Sequence, residues 1–197
     1  MPKGIPLTEE QQARRQREIF EAAVHLFLEK GFAETSMREI AQAAGVGKST
    51  LYDYFQTKDD ILVTYFLDET YTISRQAEAI NALDLPAVEK LRQLMRAHLE
   101  YLLENKDFYM ALAYEAQRLG PQSQKRLQVA RHAYQDLICR LIEQGTQEGS
   151  FRPVNPFLAM RVILASLTPV VFTTRPTGTP QEMLNEALDL LLNGIRR

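Results

Sequence analysis

The sequence predicts an all-α protein in two parts: a three-helix unit containing a helix-turn-helix over residues 1–57, and a larger helical domain over residues 58–197. Three observations carry that expectation. Apolar residues recur at three- and four-residue spacing along most of the chain, in segments opened by capping residues and closed by Gly or Pro. No alternating run of the kind a half-buried strand needs exceeds four residues. Residues 35–58, TSMREIAQAAGVGKSTLYDYFQTK, read as two short helices around a tight Gly-containing turn.

The elements follow in order. Thr8 with Gln11 makes a capping box and Gly31 a stop, so Ile19, Ala23, Leu26 and Phe27 fall on one helix over 9–30. Ser36 with Glu39 opens a second helix that runs through Ala44, and Gly45-Val46-Gly47 is the turn. The third helix, Lys48 to Phe55, is too short to stand without packing on its neighbours. Thr57 caps a fourth that runs to about residue 82, with Asp59 and Asp60 in its positive first turn. Pro86 opens a helix to residue 104, and another covers 106–119 until Gly120-Pro121. Residues 123–148 form a long helix ended by Gly149, Asn155-Pro156 opens the next to about 174, and Pro180 opens the last, to Asn193-Gly194.

Composition narrows the class. Cys139 is the single cysteine, which excludes an internal disulfide and suits a reducing compartment. The first residues lack the apolar core of a secretory signal. No stretch approaches the roughly 18 uninterrupted apolar residues of a membrane helix, and the best candidate, 157–172, holds Arg161 and Pro169. A cytoplasmic protein without membrane contact is expected. Residues 1–60 carry eight Lys/Arg against ten Asp/Glu, so positive charge is local, at Lys3, Arg14, Arg15 and Arg17 and then at Arg38, Lys48 and Lys58. A nucleic-acid contact here is made by few, well-placed residues, with modest salt dependence for one subunit.

The third helix carries the chemistry. Leu51 and Phe55, four apart, point inward with Val46, Ile40 and Ala41. Lys48, Ser49, Tyr52, Thr50 and Tyr54 are left outside, and a short helix displaying such groups is suited to a binding face. Hydroxyls suit phosphate oxygens, and Lys48 and Thr50 suit base edges in a major groove.

Across residues 14–65 the chain resembles the TetR family of transcriptional regulators. The likeness rests on Ala23 and Phe27, Gly31-Phe32, Thr35, Ile40-Ala41, Ala44-Gly45-Val46, Leu51-Tyr52, Tyr54-Phe55 and Lys58. It implies a homodimer with two recognition helices in successive major grooves of a near-palindromic double-stranded DNA operator. It also implies roles: Thr35, Ser36 and Arg38 anchor phosphates; Lys48, Ser49 and Thr50 face bases; Tyr52, Tyr54 and Lys58 hold the backbone. The chain departs from the pattern at Gly47, where Ser is common, and at Tyr54, where His is common. Asp53 is expected to accept from cytosine or to face solvent.

Other chemistries lack support in the residues. Gly47-Lys48-Ser49-Thr50 is no phosphate loop, because Gln42 occupies the first glycine position and a capped helix precedes it in place of a strand. His25, His98 and His132 are too scattered to make a metal site by spacing, and no catalytic triad is identifiable. No metal, no cofactor and no enzymatic activity are expected.

In the larger domain an apolar stripe runs through Leu91, Leu94, Met95 and Leu102, interrupted by His98, with Ile138 on the long helix. Polar handles nearby in sequence are Tyr101, Tyr109, Tyr114, Gln117 and Tyr134. Together these make up an expected pocket for a small, largely apolar effector: Met95, His98, Tyr101, Leu102, Tyr109, Tyr114, Gln117, Tyr134 and Ile138. Apolar residues cover most sides of the helix after Pro156, so Phe157, Met160, Leu164, Leu167 and Val171, with Leu184, Leu188 and Leu191 of the last helix, are the expected dimer interface. The leading expectation is a ligand-responsive repressor. An activator or a ligand-independent DNA-binding protein is the nearest alternative, and a helical ligand-binding protein or enzyme that leaves DNA alone is a distant one. The effector would shift the balance between recognition helices one DNA turn apart, about 34–36 Å, and a splayed state, with the fourth helix as lever.

Overall fold

In a computed structural model, which describes residues 8–195, nine helices make up the described chain. Lys3 lies outside those residues. The helices are α1 (Glu9–Lys30), α2 (Met37–Ala43), α3 (Lys48–Tyr54), α4 (Lys58–Asn81), α5 (Ala87–Glu104), α6 (Lys106–Arg118), α7 (Pro121–Gln147), α8 (Pro156–Val171) and α9 (Pro180–Ile195). Among the described residues no helix is long and apolar enough to cross a membrane. The chain divides into two compact units, one reaching to Leu67 and including Asp107–Lys125, the other comprising Asp68–Lys106 and the residues from Arg126 onward. The division expected at 57/58 instead falls inside α4, after Leu67, and α6 clusters with the N-terminal residues.

The capping expectations are met by the backbone. Thr8 and Gln11 exchange both bonds of a capping box, as do Ser36 and Glu39. At α4, Thr57 and Asp60 do the same, with Thr57 N donating to Asp60 Oδ2 at 2.9 Å and Asp60 N to Thr57 Oγ1 at 3.1 Å. Asn155 Oδ1 accepts from Leu158 N at 3.0 Å. Helix α7 begins two residues earlier than the sequence suggests, at Pro121, because proline is well tolerated in a first turn whose N–H would be unpaired anyway.

The first unit is built on Ile19, Ala23 and Phe27 of α1, Ile40 and Ala41 of α2, Leu51 and Phe55 around α3, and Ile61, Leu62 and Val63 of α4, all buried. Phe20 stacks on Tyr65 with ring centroids 5.6 Å apart, and Phe27 meets Phe32 edge-on at 4.9 Å. In the second unit, α5, α7, α8 and α9 share one apolar core, from Leu91 and Met95 through Ile138, Ile142 and Phe151 to Ile163, Leu167 and Leu188. Arg92 of α5 ties to Asp189 of α9 at 2.6 Å. The amide of Ala87 donates to Glu148 Oε2 at 3.3 Å, giving α5 the cap that Pro86 has no side chain to supply.

Candidate functional site

The turn between α2 and α3 sets the recognition helix. Ala44 keeps helical dihedrals, Gly45 then takes φ 63°, and the chain closes with Gly45 N on Gln42 O at 3.2 Å and Val46 N on Ala41 O at 3.0 Å. This pair of bonds is a Schellman motif, and its left-handed residue is the position that favours glycine. A Cβ at Gly45 would touch nothing within 4 Å, so the demand is conformational and not steric. Gly47 differs. Its φ of −67° and ψ of 151° suit any residue, and it caps α3 without a side-chain bond. Gly47→Ser is therefore expected to stabilise the protein by roughly 0.5–1 kcal/mol, by adding a cap and reducing unfolded-state freedom. Urea unfolding checks this, and an unchanged or lower midpoint would show that Ser cannot reach the free amides of α3.

Leu51 is fully buried and Phe55 is 3% exposed, so one side of α3 is fixed in the core beside Ile40 and Ala41. Lys48 and Ser49 are exposed on α3, with Thr50, Tyr52 and Tyr54 partly so, and Arg38 is exposed on α2. The Lys48 ammonium sits 5.8 Å from the Tyr52 ring centroid, which gives the cation a lateral support while leaving it solvated. Gln56 Nε2 donates to the Tyr52 carbonyl and helps close the end of the helix. Ser36 is exposed and serves as the α2 cap, its hydroxyl bonded to Glu39 Oε2 at 2.6 Å. Asp53 is exposed.

Two of the nine residues expected at DNA occupy a different place. Thr35 is 2% exposed, and its hydroxyl donates to the carbonyl of Gly31 at 2.8 Å and lies 3.4 Å from that of Leu26. The Lys58 ammonium donates to the carbonyls of Phe32, Ala33 and Thr35 at 2.7, 2.9 and 3.0 Å. Both residues serve the α1–α2 corner, whose carbonyls no helix ladder satisfies. Glu39 joins this corner through an ion pair with Lys30. The Lys30 ammonium, then the hydroxyl and amide of Ser36, hold the Glu39 carboxyl down at about 2.

In the second unit the expected effector residues separate into groups. Met95, Leu102, Tyr134 and Ile138 are buried in its core, and His98 and Tyr101 are partly buried on α5. His98 Nδ1 lies 2.6 Å from the Tyr134 hydroxyl, with Tyr101 edge-on to the imidazole at 6.3 Å. Burial pushes His98 down to about 4 and Tyr134 up, so a neutral imidazole and a neutral phenol share this hydrogen bond. Tyr101 in turn bonds Glu69 of α4, whose carboxyl burial pushes up against the opposing effect of that bond. Sequence reasoning missed Glu69. Its signal was a lone carboxylate between Phe66 and Ile73 on the apolar side of α4.

Tyr109, Tyr114 and Gln117 are exposed on α6, which belongs to the first unit, whereas His98 and Tyr134 belong to the second. Two cavities stand out elsewhere. One of about 350 Å³ is lined by Val154, Leu158, Ala159, Val162, Ile163 and Leu191 among others. The other, of about 360 Å³, lies in the first unit beside Phe32, Lys58, Glu115 and Arg118. Neither is lined by any of the nine expected effector residues.

The expected dimer face also needs correction. Met160, Leu167, Val171, Leu184 and Leu188 are buried in their own unit's core, Leu164 and Leu191 are partly buried against it, and only Phe157, 52% exposed, is clearly open. The outer side of α8 instead displays Leu158 and Val162, 61% and 46% exposed, continued by Ala165 and Pro169 one and two turns on. On α9, Leu190 is 79% exposed. Helix α8 is apolar on two sides, and periodicity does not say which side meets its own chain.

Known proteins share this arrangement. Residues 19–64 match the family described as bacterial regulatory proteins, tetR family, and residues 84–195 match the tetracyclin repressor-like C-terminal domain. The chain is 30% identical to the transcriptional repressor KstR2 of Mycobacterium tuberculosis, covering 93% of this chain and 94% of that one. It is 25% identical to the fatty acid metabolism regulator protein of Bacillus subtilis, covering 94% and 97%. The solved TetR family transcriptional regulator PfmR from Thermus thermophilus superposes with a TM-score of 0.74 at 30% identity, covering 91% of this chain and 99% of that one. With both parts matched in order and nearly the whole chain aligned to regulators, this protein belongs to the TetR family.

Proposed function

We propose that the protein is an effector-responsive transcriptional repressor, acting in the cytoplasm as a homodimer on a near-palindromic operator, and that it is not an enzyme. The observation that carries this reading is α3. Its inner side is locked by Leu51 and Phe55, while Lys48, Ser49, Thr50, Tyr52 and Tyr54 are presented outward at the end of a Schellman turn. A relative named as a repressor supports the sign of regulation. The second copy covers the outer stripe of α8, Leu158 and Val162, with Leu190 of α9, since exposed apolar stripes of this kind are typical interface cores.

The effector is a lipophilic molecule with one polar group. It is taken into the second unit's apolar core near the paired His98 and Tyr134 and the paired Tyr101 and Glu69. A relative that regulates fatty acid metabolism fits an acyl chain of that description.

Selection from randomised duplex DNA at near-physiological salt tests the reading, and enrichment of a palindrome is expected. The double variant Lys48→Ala with Tyr52→Ala should then lose roughly 10- to 100-fold in operator affinity while melting within a few degrees of wild type. No enriched sequence, with or without acyl ligands, would remove the reading. Undiminished binding by the double variant would move the interface away from α3.

A further inference from the structure

The α1–α2 corner assigns Lys58 a task that its charge alone does not suggest. Helix α1 ends at Lys30, and the chain turns through Phe32–Thr35 before Ser36 caps α2. The carbonyls of Phe32, Ala33 and Thr35 converge on the Lys58 ammonium at 2.7, 2.9 and 3.0 Å. The Phe32 ring lies 4.7 Å from the same nitrogen. An ammonium has three protons, and here each has a carbonyl to meet. To reach a phosphate, Lys58 would leave the Ala33 and Thr35 carbonyls in need of new partners and Phe32 with only the Thr35 amide at 3.3 Å. Thr35 closes the corner from the other side through the Gly31 carbonyl at 2.8 Å.

Neither short helix of the motif holds its own pose. Helices α2 and α3 have seven residues each, and α3 lacks a side-chain cap. Lys58 is the first residue of α4, so its three bonds fasten the start of that helix to the chain entering α2. The Schellman turn then passes the orientation of α2 on to α3.

We propose that Lys58 is a positioning residue that holds the α1–α2 corner and thereby aims α3 at the bases, and that it does not neutralise a phosphate. The inference rests on the DNA-binding reading for its functional consequence, but the corner itself is testable without DNA. The test uses full-length wild type, K58M and K58R, with hydrogen exchange at residues 32–36 in the free protein and duplex binding across a salt series.

A positioning role predicts faster exchange at 32–36 in K58M and operator binding weakened roughly tenfold or more, while affinity for non-operator duplex and the salt slope stay as in wild type. K58R, which keeps the charge but cannot seat the same three donors on converging carbonyls, should share the defect. Phosphate neutralisation predicts a different pattern. K58R would then bind like wild type, K58M would weaken on operator and non-operator duplex alike, and the slope would fall by about two per dimer, roughly 0.9 for each phosphate no longer neutralised. That pattern, or unchanged exchange in K58M, overturns the proposal. If K58M does not fold, K58R decides by the same readouts. A wild-type chain that selects no operator defeats the functional reading alone, and exchange still judges the corner.

Discussion

Gly145→Ala is expected to destabilise the protein by about 1–2 kcal/mol, although alanine is ordinarily the better helix former. Gly145 lies inside α7 and is buried. A Cβ there would stand 2.3 Å from Phe151 Cδ2, 2.4 Å from Cε2 and 3.1 Å from the Ala87 Cβ. The ring cannot swing clear. Phe151 is 1% exposed within the second unit's core, and its amide donates to the Gly145 carbonyl at 3.0 Å, so its backbone is fixed to the residue its side chain would strike. Overpacking of this kind costs roughly 1–3 kcal/mol, occasionally more, and outweighs the 0.5–1 kcal/mol that alanine gains in a helix interior. Urea unfolding of G145A, F151A and the double variant separates the two effects. F151A alone should cost roughly 3–5 kcal/mol through the cavity it leaves. In that background G145A should become neutral or stabilising, the coupling expected of two residues in contact. Equal effects of G145A in both backgrounds would dismiss the clash.

The same contrast between local and distant partners explains what the sequence discloses. Thr8 with Gln11, Ser36 with Glu39 and Asn155 with Leu158 bond across three residues, and each is readable from spacing because the geometry of a first turn is universal. Gly45 is readable for a similar reason, since few residues tolerate its conformation. Lys58 is not. Its acceptors lie 23 to 26 residues away, and no local pattern distinguishes an ammonium that faces DNA from one that faces three carbonyls. Thr35 fails in the same way, because its hydroxyl suits a phosphate and a carbonyl equally well.

Helix α8 shows a second limit. Its apolar residues fall on two sides, and Met160, Ile163 and Leu167 fill the chain's own core while Phe157 and Leu158 stay exposed. Apolar cover on most sides does not separate the side that fills the core from the side that displays Leu158, Val162 and Ala165. The effector residues divided for a third reason. Tyr109 and Tyr114 are near Tyr101 in sequence, yet α6 clusters with the first unit, and nothing in a periodic pattern records which neighbour a helix chooses.

Acid should weaken the fold through His98, by no more than about 3 kcal/mol. Unfolded, an imidazole titrates near 6.5, whereas burial holds the folded His98 at about 4. Below 6.5 the unfolded chain therefore binds a proton that the folded chain refuses, and stability falls as pH drops through the window from about 6.5 to about 4. Glu69 acts in the opposite sense. Its folded carboxyl is pushed up by burial, so acidification relieves a buried charge and stabilises the fold as pH falls. Glu39, held at about 2 by Lys30 and Ser36, contributes a further loss only below 4.5. Between pH 7 and 5 the imidazole therefore lowers stability with acid while the carboxyl of Glu69 opposes it. Thermal melts of wild type and His98→Gln across that range isolate it, because glutamine can donate to or accept from the Tyr134 hydroxyl and carries no proton equilibrium. Wild type should lose stability with acid relative to the variant, whose curve lacks the His98 contribution. Parallel curves would mean that a protonated His98 is tolerated where it sits, and the polar centre would then suit an effector with an anionic group better than the neutral one its burial implies.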